Sequence, residues 1–234
     1  MVQRWLAGFV SATLVFSATA AKAADISPEA SPAVAAPTFN WTGLYVGVQG
    51  GYQWSNDRST EFVTATGAPT GFAQDFQPTG GLGGVHVGYN YQIDRIVLGI
   101  EGDAELGRVS DSLTAFGNTF EARKNWEASI RGRLGVTPMD RLLLYVTGGA
   151  SFTELKYSYV SLANAFPPAN ATISKTGWTV GGGGEVALTD WMTARLEYRY
   201  SDFGTTRFDW PGVAGTYEQH PRFHTVRAGI SLKF

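Results

Sequence analysis

The chain has 234 residues, with 18 basic and 20 acidic side chains for a formal charge of −2, no cysteine, 29 glycines and 13% aromatic residues. Mild acidity without a basic stripe argues against nucleic-acid binding, and the lack of thiols excludes disulfides and thiolate-held zinc, haem or iron–sulfur centres. After removal of an export segment, the remaining length suits one domain.

Arg4 supplies a short positive region, Trp5 to Ala20 an apolar and small-residue stretch, and Ala21-Lys22-Ala23 an A-x-A site. This is the pattern of a secretory signal peptide over residues 1–23, cleaved before Ala24. Ser11, Thr13, Ser17 and Thr19 dilute the stretch, which weakens its reading as a transmembrane helix. Residues 24–40, with Pro28, Pro32 and Pro37 among Ala and Ser, read as a mobile periplasmic leader. No later window holds about 20 continuous apolar residues, so a membrane crossing must be made by strands.

Period-2 stretches follow at about 41–53, 81–91, 95–106, 124–136, 141–153, 175–187, 191–203 and 222–234. Eight is an even number, as a single-chain bacterial barrel with both ends in the periplasm requires. Gln92 to Asp94, Thr137 to Asp140 and Leu188 to Asp190 form short turns, whereas 54–80, 107–123, 154–174 and 204–221 form long polar or Pro/Gly-containing loops. A soluble sandwich shares the period but has no reason to gather its long loops at one end. The predicted fold is therefore all-β, an eight-stranded antiparallel transmembrane β-barrel over 41–234. In its last strand Val226, Ala228, Ile230, Leu232 and Phe234 face lipid, and Thr225, Arg227, Gly229, Ser231 and Lys233 face the interior. The terminal Phe234 is read as the assembly signal for the barrel-assembly machinery.

The inward face carries charge. Glu101, Asp103 and Glu105 share one face of the third strand, Glu127, Ser129, Arg131 and Arg133 of the fourth, and Arg195, Glu197 and Arg199 of the seventh, while Glu185 and Arg227 add one charge each from the sixth and eighth. Exposing an Arg or Lys to hydrocarbon near the midplane costs roughly 2–4 kcal/mol, so these residues belong inside, where opposite charges satisfy one another. Arg199 is expected to join Glu197 on its own face and Glu185 or Arg227 on adjoining strands. Paired carboxylates such as Glu101 and Asp103 invite an acid-catalysis reading, but no serine elbow, phosphate loop or metal motif accompanies them, so no enzyme, cofactor or metal site is expected.

Gly43, Gly47, Gly50, Gly51, Gly88 and Gly181 to Gly184 leave room for long inward side chains. Trp41, Tyr89, Trp126, Trp178, Trp191 and Tyr200 are expected at the two headgroup layers. Phe62, Phe72 and Phe76 in one loop, and Phe208, Trp210, Pro211 and Tyr217 in another, offer apolar anchors for any host or ligand contact.

The segments Phe39-Asn40-Trp41-Thr42-Gly43-Leu44-Tyr45-Val46-Gly47, Gly99-Ile100-Glu101-Gly102-Asp103-Ala104, Ser129-Ile130-Arg131-Gly132-Arg133-Leu134-Gly135, Gly177-Trp178-Thr179-Val180-Gly181-Gly182-Gly183, Arg195-Leu196-Glu197-Tyr198-Arg199-Tyr200 and Val226-Arg227-Ala228-Gly229-Ile230 occur in this order. Together they resemble the alphaproteobacterial 25–31 kDa major outer-membrane proteins, the outer-membrane immunogenic proteins, with an OmpA-like transmembrane barrel. The resemblance implies a cell outer-membrane barrel among lipid and lipopolysaccharide that supports envelope integrity and surface or host interaction. Some relatives are porin-like and some bind haemin. Here His86, His220 and His224 form no cluster in the sequence, and no axial-ligand arrangement is evident.

Overall fold

The computed structural model describes residues 39–55, 57–63, 66–115, 118–161, 169–209 and 215–234. The expected signal peptide, the leader up to residue 38, and Trp210 and Pro211 lie outside these residues. The strands in chain order are β1 (Gly43–Ser55), β2 (Asp57–Val63), β3 (Pro69–Phe76), β4 (Thr79–Ile93), β5 (Ile96–Ala115), β6 (Asn118–Met139), β7 (Leu142–Ser161), β8 (Ala169–Ala187), β9 (Met192–Asp202), β10 (Thr206–Asp209), β11 (Gly215–Gln219) and β12 (Arg222–Lys233).

Eight of them close into a barrel in the order β1-β12-β9-β8-β7-β6-β5-β4. All neighbours are antiparallel, and the closing pair β1/β12 runs in register from Tyr45 opposite Lys233 to Ser55 opposite Phe223. Closure pairs every barrel strand on both sides through the bilayer, which is the condition for strands to cross hydrocarbon. No helix among the described residues is long and apolar enough to cross.

The alternation sorts the two faces. On β5 the outward positions are Ile96, Leu98, Ile100, Gly102, Ala104 and Leu106, and on β6 they run from Val136 through Leu134 and Ile130 to Trp126. Ten residues of a strand tilted by about 40° span about 25 Å, the height of the apolar band of an outer-membrane barrel. Tyr89, Trp126, Trp178 and Trp191 point outward near its borders, as expected of headgroup anchors.

Two expectations need correction. The loops at 107–123 and 154–174 are mostly strand: β5 and β6 pair up to Ala115 opposite Asn118, and β7 and β8 up to Tyr159 opposite Ala169. Above the bilayer the outward face of a strand meets water, so residues such as Ser110, Ser112 and Ser158 replace apolar ones there and the hydropathy signal vanishes while the backbone ladder continues. The loops at 54–80 and 204–221 contribute a second antiparallel sheet, in the order β10-β11-β2-β3. At its borders with the tall strands the Gln77 N–H donates to the Asp111 carboxylate at 2.9 Å, and the Lys175 ammonium to the Thr205 carbonyl at 3.4 Å. Phe62 is half-buried on β2, and Phe72 and Phe76 belong to β3, Phe208 to β10 and Tyr217 to β11.

The second correction concerns the start of the barrel. Trp41 is no headgroup anchor, and Phe39 is not part of a mobile leader: both are buried in one apolar cluster with Val97, Leu143, Tyr145 and Ala187 at the end of the short turns. The backbone N–H of Trp41 donates to Gln92 Oε1 at 2.8 Å and its indole to the Asp140 carbonyl at 3.3 Å, with the Phe39 ring edge-on at 4.8 Å. The chain thus folds under its own barrel before β1 begins.

Candidate functional site

The lumen is the most chemically distinctive region. Glu101, Asp103, Glu105, Glu127, Glu185 and Glu197 supply six buried carboxylates, and Lys124, Arg131, Arg133, Arg195, Arg199 and Arg227 six buried cations. The interior is therefore formally neutral. The eleven residues expected to form the interior charge network sum to −1, and Lys124 is the residue that balances them.

Lys124 enters through a defect in β6. The ladder shifts register between Lys124 and Glu127, so Asn125 and Trp126 both point outward and the residues on either side of them both point in. A bulge re-aims a side chain in this way. The Lys124 ammonium pairs with Glu127, donates to Gln53 Oε1 at 2.7 Å and lies 4.3 Å from the centroid of the Phe223 ring. Strict period-2 reading puts Lys124 outside, and no local sequence signal marks the bulge.

The ion pairs join neighbouring strands, as Arg131 to Glu101 and Arg227 to Glu197, and also cross the lumen. Arg131 on β6 reaches Glu101 at 2.5 Å and Asp103 at 3.1 Å on β5, and Glu197 at 2.6 Å on β9. Arg227 on β12 contacts Glu105 at 2.8 Å, Asp103 at 3.3 Å and Glu197 at 2.7 Å. Arg199 on β9 contacts Asp103 at 3.0 Å, Glu105 at 2.5 Å and Glu127 at 3.2 Å. Its expected partners Glu197 and Glu185 are replaced by these three, because its side chain extends across the lumen toward β5 and β6. Arg195 pairs with Glu101, and Arg133 with Glu185.

Neutral side chains complete the mesh. Tyr45 donates to Glu101 at 2.8 Å and Tyr145 to Glu197 at 2.9 Å, while Gln49 donates to Glu105 at 2.7 Å and Ser129 to Asp103 at 2.5 Å. Ser151 and Ser201 both donate to Glu127, at 2.8 and 3.1 Å. Tyr45, Gln49, Gln53 and Tyr145 were readable as inward from the same parity that marks the charges. Space for this packing comes from inward glycines: a methyl at Gly47 would run into the His86 imidazole and the Ile230 carbonyl. Gly50, Gly182 and Gly184 instead point outward, so they make no room inside.

Both ends are closed by apolar groups. Below lies the Phe39/Trp41 cluster, with the Arg133 guanidinium 3.7 Å above the Tyr145 ring centroid. Above, Val109, Leu155, Tyr157, Phe203 and Phe223 are buried, the last two with ring centroids 6.0 Å apart. The histidines sit apart. His86 Nε2 bonds Ser231 at 2.8 Å in the lumen, His220 meets Asp202 at 2.8 Å at the rim, and His224 stacks on Trp54 at 5.7 Å on the outer face. Among the described residues no group of three or more His, Asp or Glu side chains is arranged to hold a metal ion.

Known proteins are similar to this chain along nearly its whole length. The family described as "Outer membrane protein beta-barrel domain" matches residues 10–234. The 31 kDa outer-membrane immunogenic protein of Brucella melitensis biotype 1 is 34% identical over 230 residues, covering 93% of this chain and 95% of its own. The 25 kDa outer-membrane immunogenic protein of Brucella abortus biovar 1 is 31% identical over 96% of this chain and 95% of its own, and the 22 kDa outer membrane protein of Rhizobium leguminosarum bv. viciae 32% identical over 85% and 80%. A closed eight-stranded barrel with an apolar exterior, joined to full-length similarity of this kind, means that the chain belongs to the outer-membrane immunogenic protein family of outer-membrane β-barrels.

Proposed function

We propose that the protein acts as a sealed structural barrel of the outer membrane, which braces the bilayer and carries a folded strand wall to the cell surface without conducting solutes steadily. The observation that carries this reading is the neutral, cross-linked lumen: six carboxylates and six cations are buried within a ring of eight strands. Eight strands leave an interior just wide enough for side chains. An export segment over 1–23, a short leader, and Phe234 as the exposed C-terminal handle for the barrel-assembly machinery complete the proposal. Refolded protein in planar lipid bilayers is expected to give only rare, short current steps. Stable and frequent openings would support a small porin instead.

Host-surface or haemin contact belongs, in this reading, to the strands above the bilayer. The lumen is filled, whereas the sheet formed by β2, β3, β10 and β11 lies beyond the apolar band. Shortening both loops in a barrel of verified fold is expected to abolish haemin or host-cell binding. Binding that survives the deletion would place the contact elsewhere on the barrel.

A further inference from the structure

The outer rim of the barrel divides into two unlike sectors. On β8, β9, β12 and β1 the apolar band ends in rings: Trp178 and Tyr200 lie 5.4 Å apart, and His224 stacks on Trp54 and bonds the Tyr198 hydroxyl at 2.6 Å. On β5, β6 and β7 the band ends at Leu106, Trp126 and Phe152, and above them Arg108, Arg123 and Lys156 point outward.

Arg123 and Lys156 stand directly opposite one another in the β6/β7 ladder. Across the β5/β6 ladder Arg123 is paired with Ser110, two residues from Arg108 on the same outward face. Like charges at directly opposed positions destabilise a sheet. Glu121 pairs with Arg123, and Glu154 lies 3.3 Å from Lys156. Three cations therefore face two carboxylates, and Arg108 forms no salt bridge among the described residues. The bulge at Asn125 and Trp126 creates this arrangement, since it turns Lys124 into the lumen and Arg123 out of it.

We propose that Arg108, Arg123 and Lys156 form a binding site for the phosphate groups of the phosphorylated glycolipid of the outer leaflet. The inference rests on the outer-membrane reading above, which places the end of the apolar band at the headgroup layer. Phosphate oxygens accept paired bonds from a guanidinium fork and a point charge from an ammonium, so one anionic headgroup offsets the opposed cations. The aromatic sector offers ring surface to the same layer, and among the described residues its exposed Arg222 is paired with Asp202.

The test titrates refolded protein in detergent with bisphosphorylated lipid A and counts bound lipid by native mass spectrometry. The triple variant Arg108→Gln, Arg123→Gln and Lys156→Gln is expected to bind about tenfold more weakly. Lys175→Gln, which removes an ammonium committed to the Thr205 carbonyl, should bind as the parent does. Lipid A stripped of phosphate should bind the parent no better than intact lipid A binds the triple variant. Heat-modifiable gel migration reports barrel folding separately, so a barrel that folds and inserts yet fails this titration refutes the site and leaves the structural reading standing. Unchanged binding by the triple variant, equal binding of phosphate-free lipid A, or tighter binding of phosphatidylglycerol than of lipid A would each overturn the proposal. Should the triple variant fail to fold, Arg108→Gln alone, at an exposed position, is expected to weaken binding about threefold, and no change would again refute the site.

Discussion

Arg199→Leu is expected to be the most damaging single substitution in the lumen, lowering the folding free energy by about 3–5 kcal/mol, the usual cost of removing one partner from a buried ionic cluster. Arg199 is fully buried and contacts Asp103, Glu105 and Glu127. The three carboxylates do not lose equal support. Asp103 keeps Arg131, Arg227 and Ser129, and Glu105 keeps Arg227 and Gln49. Glu127 is left with Lys124, a long bond from the Gln53 amide and the hydroxyls of Ser151 and Ser201, and the lumen acquires a net charge of −1. Arg199→Lys keeps the charge but cannot span three acceptors, and should fall between parent and Leu variant. Tyr200→Leu, on the outward side of the same strand, loses tilted ring contacts with Trp178 and His224 and a long hydroxyl bond to Asp202, but leaves no buried charge unpaired. Urea-dependent folding of the four proteins in matched lipid vesicles gives the comparison. If Arg199→Leu and Tyr200→Leu were equally mild, the lumenal pairs would have to be hydrated and weakly coupled.

The same residues show what sequence reveals about such a barrel. The face of each charge is legible because the strand period is two and hydrocarbon penalises the wrong face, so Glu101, Asp103 and Glu105 line up without any knowledge of their neighbours. Partner choice is not legible in this way. It depends on how far apart the strands stand around the ring and on side-chain reach across it, and Arg199 passes over its own-strand neighbour Glu197 to meet β5 and β6. Lys124 escapes the rule because one extra residue in β6 changes the phase, and Asn125-Trp126 carries no glycine to advertise the bulge. Strand ends are legible only within the bilayer. Beyond Leu106 on β5 the outward residues turn polar, yet pairing persists to Ala115.

Trp41 escapes for another reason: the stretch read as strand over 41–53 begins before β1 does, and an aromatic at a strand end reads equally as a headgroup anchor. Its removal supplies the second large expected effect. Trp41→Ala should cost about 3–5 kcal/mol, as truncation of a buried aromatic does, through loss of the cluster with Phe39, Val97, Leu143, Tyr145 and Ala187 and of the indole bond to the Asp140 carbonyl. Trp41→Phe retains most of the apolar contact and should cost much less. Conductance should nevertheless stay near the parent's. Behind the indole lie Tyr145, the Arg133–Glu185 pair and the Tyr45–Glu101 bond, all anchored on barrel strands rather than on the segment before β1. Folding titrations and planar-bilayer recordings on the same preparation separate a foot that stabilises the barrel from a stopper that gates it. A large stability loss with a silent bilayer fits the layered seal, whereas sustained openings in Trp41→Ala would mean that the lumenal charges leave a path and that the N-terminal segment alone closes it.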